Sequence, residues 1–246
     1  MTAMRQRVAQ AQVAVMMMTR LPAGRLPARV PTLAEAAWAY PLLGLVTGGA
    51  LWGSMTAGLA LGLAPLTAAM VALVVLALLT GGLHHDGLAD FADGMGGGHD
   101  RARVLDIMRD SRIGSYGVIA LILVLGAQAT ALSETPLSLL LVLGVAVGSR
   151  VAMMAVLSML PPARCDGLGQ AAVARWPALL PGGCVLAVLA LWSGGALWPA
   201  LLGMAAVTLW VARLAHRRIG GQTGDVLGAT QMVSETAGFL VLAAML

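Results

Sequence analysis

The chain has 246 residues, of which 59% are hydrophobic and only 11% charged. A soluble domain carries roughly one quarter charged residues, so this composition excludes a soluble globular protein, a disordered chain and a secreted disulfide scaffold. All fifteen basic residues are arginine and the formal charge is +4, yet their distribution along the chain argues for membrane orientation and not for nucleic-acid binding.

In chain order, Arg5 and Arg7 precede a short apolar stretch, Val13–Met18, with no small-residue cleavage site after it. Residues 1–30 therefore read as an interfacial amphipathic helix and loop, ending around Leu21-Pro22, and not as a signal peptide. No Asp, Glu, Lys or Arg occurs from Ala36 to Leu83, and a break at Gly62-Leu63-Ala64-Pro65 divides this run into spans over 37–60 and 65–83. Further spans are expected over 115–132 and 136–158. The charge-free run from Trp176 to Ala212 breaks at Ser193-Gly194-Gly195 into a fifth and a sixth. The tail from Ala237 to Leu246 is too short alone; with the residues before it, it makes a seventh, tilted or partial span. Within lipid the backbone must satisfy its own hydrogen bonds, and no alternating strand pattern points to a barrel. The fold expected is all-α: one polytopic helical integral membrane domain over 1–246, with about six or seven transmembrane helices in a lipid bilayer. Cys165 falls in a loop and Cys184 in a span, so no disulfide is favoured.

Arginine counting orients the chain. Arg5, Arg7, Arg20, Arg25 and Arg29 precede the first span; Arg101, Arg103, Arg109 and Arg112 lie between the second and third. Arg164 and Arg175 follow the fourth, and Arg213, Arg217 and Arg218 follow the sixth. The opposite turns contain only Glu134. The positive-inside rule then predicts a multi-pass protein of the inner (cytoplasmic) membrane, with the N-terminus and every long polar loop in the cytoplasm.

The chemistry concentrates in an acidic catalytic loop over 84–112. Six of the eight aspartates lie between Asp86 and Asp110. Asp86, Asp90 and Asp93 follow i, i+4, i+7 spacing, which puts three carboxylates on one helical face. Such a group repels itself unless cations are present, and its hard oxygens suit Mg²⁺ or Mn²⁺ with substrate phosphate completing the shell. The bland alternative is a solvated acidic face. His84, His85 and His99 flank the segment, but no cysteine is near and no histidine spacing repeats, so zinc is not expected. Gly94, Gly96, Gly97 and Gly98 suit either close approach of backbone amides to a phosphate or a mobile turn. Asp100 to Arg112 reads as an amphipathic helix in which Asp106 and Asp110 stand beside Arg109 and Arg112. These arginines either form surface ion pairs or hold a diphosphate. Two further loops, Arg164–Gly169 and Arg217–Asp225, combine cations, glycines and a carboxylate, the second with Thr223. Arg150 sits inside a span, where burial costs on the order of 3 kcal/mol; a carboxylate or substrate phosphate partner is expected, with snorkelling to the interface as the alternative.

Thr80-Gly81-Gly82-Leu83-His84, Asp86-Gly87-Leu88-Ala89-Asp90 and Ile107-Met108-Arg109-Asp110-Ser111-Arg112-Ile113-Gly114 together resemble the cobalamin synthase (adenosylcobinamide-GDP ribazoletransferase) family. Thr19-Arg20-Leu21-Pro22, Ser149-Arg150, Gly167-Leu168-Gly169 and Gly220-Gly221-Gln222-Thr223-Gly224-Asp225 fall in the order that family has. His85 in place of an aliphatic residue, Asp106 in place of glutamate and a richer glycine run after Asp93 are departures from it. The resemblance implies a membrane transferase with Mg²⁺ as cofactor and adenosylcobinamide-GDP and α-ribazole, or its phosphate, as substrates; GMP leaves and adenosylcobalamin, or its phosphate, forms. Carried onto this chain, Asp86, Asp90 and Asp93 are the metal ligands and, with Asp110, the catalytic carboxylates. Arg109, Arg112, Arg150, Thr223 and Asp225 are the substrate-binding residues. A homo-oligomer or a complex with other corrinoid-pathway enzymes is compatible with the sequence. Three rival readings are a divalent-cation transporter, a noncatalytic membrane scaffold and a CDP-alcohol phosphotransferase. The first would place charge mid-membrane in several spans, and the second leaves the acidic triplet unexplained. The third lacks its Ala-Arg pair after Asp86-Gly87.

Overall fold

The computed structural model describes residues 3–135, 138–172 and 176–245. Arg175, the start of the span expected over 136–158 and the last residue of the chain lie outside these. Among the described residues there are twelve α-helices and no strand. They are α1 (Ala3–Met18), α2 (Leu33–Ala36), α3 (Leu43–Ala60), α4 (Pro65–Thr80), α5 (Leu83–Gly97), α6 (Arg101–Ile107), α7 (Ser115–Glu134), α8 (Leu139–Met159), α9 (Leu168–Ala171), α10 (Leu180–Trp192), α11 (Trp198–Ile219) and α12 (Gly224–Ala244).

Five of these, α3, α7, α8, α11 and α12, are each long and apolar enough to cross a membrane. α4 is apolar but 16 residues long, and α10 with the turn before it makes a 17-residue apolar segment. The outer faces of α4, α7 and α11 expose Met70, Val74, Leu78, Ile122, Leu123, Leu202 and Trp210. A soluble surface rarely carries apolar area of this extent, whereas a bilayer requires it. Small residues bring the spans together: a Cβ on Gly44 would stand 2.6 Å from the Val147 backbone, so α3 and α8 touch main chain to main chain.

The span expected from the C-terminal tail together with the residues before it is present, and it is a full-length one. The residues before Ala237 extend the tail into α12, which runs for 21 residues from Gly224 and packs against α5, α7, α8 and α11. Its polar residues Gln231, Ser234, Glu235 and Thr236 are all buried. They face α8. Arg150 Nη1 lies 3.4 Å from Glu235 Oε2 and donates to Ala146 O (2.8 Å) and Ser149 Oγ (3.1 Å). Gln231 Nε2 donates to Ser149 Oγ at 3.2 Å and also to Glu235 Oε2. Of the partners expected for Arg150, a carboxylate is the one it has; at 1% exposure, it does not snorkel.

The acidic segment is not a loop. α4 ends at Gly81 (φ 64°) and Gly82 (φ 72°), two left-handed positions that only glycine adopts at no steric cost, and the chain turns by 93° into α5. Arg20 lies over this corner: its backbone N–H donates to Leu79 O (2.7 Å), and its guanidinium fills the space a Gly81 side chain would need. The amphipathic helix expected over 100–112 is shorter. Asp100 caps α6 by accepting from the Arg103 N–H (2.9 Å), and the helix stops at Ile107. Of the glycine run, Gly94, Gly96 and Gly97 are helical, and Gly98 ends α5 in extended backbone. A Cβ on Gly94 would meet Met108 at 2.7 Å, and one on Gly96 the Tyr116 ring at 2.6 Å. These glycines let α6 and α7 pack close.

Candidate active site

α5 lies against the N-terminal end of α12, and two glycines set the approach. A Cβ on Gly87 would stand 3.2 Å from Gly228 Cα and 3.3 Å from Asp225 Cα, so the helices meet where neither has a side chain. This places Asp86 and Asp90 of α5 beside Asp225 in the first turn of α12. Thr223 caps that turn, accepting from the Val226 N–H at 3.3 Å, and its hydroxyl donates to Asp225 Oδ2 at 3.1 Å.

The second wall is a pair of loops bonded to each other. Gln222 N–H donates to Pro161 O and Ala163 N–H to Gln222 O, both at 2.8 Å, and Gln222 Nε2 donates to Gly169 O at 3.0 Å. Arg101 fastens both loops, with Nε on Ile219 O (2.8 Å) and Nη2 on Ala163 O (2.9 Å). Held this way, Arg164 brings Nη2 to 3.5 Å from Asp225 Oδ2, while its buried Nε has no hydrogen-bond partner among the described residues. Arg164 is the residue that spacing alone did not select. Its signal was the Arg164–Gly169 composition, which a plain turn would share.

The expected carboxylate triplet separates. Asp93 is buried and turned to α7, where Oδ2 accepts from Gly114 N–H (2.7 Å) and Oδ1 from Gly117 N–H (2.9 Å). It answers the unpaired amides of that helix terminus, and Gly114 and Gly117 lack side chains where its carboxylate sits. Among the described residues no three His, Cys, Asp or Glu side chains converge closely enough to hold a metal on their own. Asp86, Asp90 and Asp225 nevertheless crowd one another. Burial, then the carboxylates of Asp86, Asp225 and Asp93, push the Asp90 carboxyl up to about 7, against the opposing guanidinium of Arg164.

The remaining candidates form a separate exposed patch. Arg109 pairs with Asp166 (2.7 Å), Arg112 with Asp110 (2.7 Å) and Arg103 with Asp106 (2.8 Å). Hydrogen bonds from Arg112 hold the Asp110 carboxyl down at about 2, which leaves it a weak proton acceptor. Of the two roles expected for Arg109 and Arg112, surface ion pairing is visible; both still line an open cleft of about 430 Å³ that a phosphate could enter. Arg150 stays within the bundle, paired to Glu235.

The profile described as Cobalamin-5-phosphate synthase matches residues 10–243, nearly the whole chain. The chain belongs to the cobalamin-5-phosphate synthase family. Among its relatives, the adenosylcobinamide-GDP ribazoletransferase of Bradyrhizobium diazoefficiens is 44% identical, over 96% of this chain and 94% of the relative. The protein of the same name from Mesorhizobium japonicum is 46% identical over 91% and 88%. That from Rhizobium etli is 43% identical over 83% and 84%. No solved structure matches the chain. Membership in the cobalamin-5-phosphate synthase family makes the chain an enzyme of cobalamin assembly, and the α5–α12 junction is where its carboxylates gather.

Proposed function

We propose that this chain transfers the adenosylcobinamide phosphate group from adenosylcobinamide-GDP to α-ribazole or its phosphate, at the junction of α5 and α12. The observation that carries the site assignment is the crowding of Asp86, Asp90 and Asp225, which leaves one carboxyl poised near neutrality. Relatives named for this activity, aligned over nearly the full chain, support the reaction.

Mg²⁺ fits the residues present. It commonly takes one or two carboxylates and leaves its other positions to water and substrate phosphate, so a three-carboxylate cage is not required. Asp86 and Asp225 would hold it, and when bound it would neutralise charge on the diphosphate. Asp90, titrating near the working pH, accepts the proton of the attacking ribose hydroxyl. The freed oxygen forms a bond to the phosphorus that carries cobinamide, the bridging P–O bond breaks, and GMP leaves with that electron pair. Arg164 faces the same carboxylates with an unpaired Nε and orients the diphosphate; Arg109 and Arg112 receive the departing nucleotide if they exchange their present partners. Asp93 acts through α7, which it anchors to α5. The arginine-rich end, with this site, lies on the cytoplasmic side of the inner membrane.

The test is GMP release by the purified protein in lipid nanodiscs. Release that needs adenosylcobinamide-GDP, α-ribazole and Mg²⁺ together is the expected result. Release without α-ribazole, or none with all three present, contradicts the assignment.

A further inference from the structure

Asp86 lines two cavities of opposite character. One holds about 130 Å³ and is a partly open cleft lined chiefly by α1, α5, α8 and α12. Its walls are mostly apolar, from Met17, Met18, Tyr40, Met153, Leu157 and Leu227, and polar groups enter from one part of it, with His84, Asp86 and Asp225. The other holds about 680 Å³ and opens at the α4–α5 corner, where Arg20, Thr19, Thr80 and His85 join Gly81 and Gly82.

Displacement at phosphorus needs the attacking and leaving oxygens roughly in line, on opposite sides of the reacting atom. A carboxylate shared by two cavities is the point where two substrates can meet in that way. We propose that the small apolar cavity seats the aromatic base of the acceptor nucleoside, with its ribose turned to the Asp86 and Asp225 side, beside Asp90, while the charged donor enters from the α4–α5 corner. This rests on the transfer reaction proposed above and adds which substrate occupies which side.

Size and desolvation decide the assignment. A corrin ring is far too large for 130 Å³. A diphosphate placed against methionine and leucine walls would lose its hydration without replacement, at a cost of several kcal/mol or more. A neutral heteroaromatic ring meets neither obstacle. Methionine sulfur packs well on aromatic rings, and three of the six apolar wall residues named are methionines. His84 is buried in this wall with no hydrogen-bond partner for Nε2 among the described residues, so a ring nitrogen of the base would have a group to pair with. On the other side, the larger cavity offers the Arg20 guanidinium to an anionic ligand; Thr19 and Thr80 also line it, with their hydroxyls donating to Val15 O and Leu76 O.

The experiment measures equilibrium binding of each substrate alone, by calorimetry, to the full-length protein in nanodiscs. Ala172 borders the small cavity from the end of α9, so Ala172→Phe fills it from a loop, and Leu157→Phe fills it from α8 as an independent variant. Each variant is checked for a wild-type thermal transition, and one correctly folded variant suffices. The expected result is α-ribazole binding weakened by about tenfold or more, with adenosylcobinamide-GDP binding changed by less than about twofold. Unchanged α-ribazole binding in a folded, filled variant, or an equal loss for both substrates, overturns the cavity assignment while leaving the transfer reaction standing. Wild-type protein that neither binds α-ribazole nor releases GMP overturns both.

Discussion

Replacing Asp90 by asparagine is expected to lower the rate of GMP release by about 10³-fold, the usual loss when a positioned proton acceptor is removed. The fold should survive. Asp90 is pushed up to about 7 because its charge is unwelcome beside Asp86 and Asp225, so a neutral amide there relieves repulsion and the protein should melt at the wild-type temperature or slightly above it. The same arrangement gives the wild-type enzyme a pH dependence of definite sign. The active form is the carboxylate, so kcat/KM rises with pH by about tenfold per unit below the inflection near 7 and is flat above it. A nearby Mg²⁺ favours the carboxylate, so the inflection moves to lower pH as Mg²⁺ is raised. Asp90→Asn should abolish this limb. A variant that keeps both the rate and the inflection would remove Asp90 from the chemistry. By contrast, Asp110→Asn should leave the limb intact, because Asp110 already titrates far below it.

The second large effect is on stability. Arg150→Ala or Glu235→Ala is expected to cost about 3–5 kcal/mol, because either change strands a charge at a site where both partners are almost completely buried. Arg150→Ala also leaves Ser149 and Gln231 with a carboxylate whose counter-charge is gone. The double variant Arg150→Met with Glu235→Leu should recover much of the loss, since paired removal leaves no charge uncompensated. Melting temperature in nanodiscs reads this directly. Single variants that melt like wild type would show that the pair is not holding α8 to α12.

Much of the fold was legible because a bilayer writes its demands as long charge-free runs. The hairpins around Gly62 and Ser193 and the membrane spans over 115–132 and 136–158 correspond to α3 with α4, α10 with α11, α7 and α8. α12 was only half legible. Arg150 reads as a charge needing a partner, but that the partner is Glu235, within a network with Gln231 and Ser149, is visible only once α8 and α12 are side by side. The candidate site was legible to the same depth. Asp86 and Asp90 follow from helical spacing, but that spacing also admitted Asp93, which α7 claims through Gly114 and Gly117. Asp225 and Arg164 join them from 135 and 74 residues further on than Asp90, distances over which periodicity carries no information. The glycine-rich composition of the segment suggested phosphate binding, whereas Gly87, Gly94 and Gly96 serve helix contacts.

The central claim is that a divalent cation and the reacting diphosphate meet at the carboxylates shared by α5 and α12. Mn²⁺ binding, followed by electron paramagnetic resonance with adenosylcobinamide-GDP present, tests it most directly. The expected result is a bound-Mn²⁺ signal that is lost in Asp86→Asn and Asp225→Asn and retained in Asp110→Asn. A signal that persists in the first two variants, or that disappears only in the third, would contradict it.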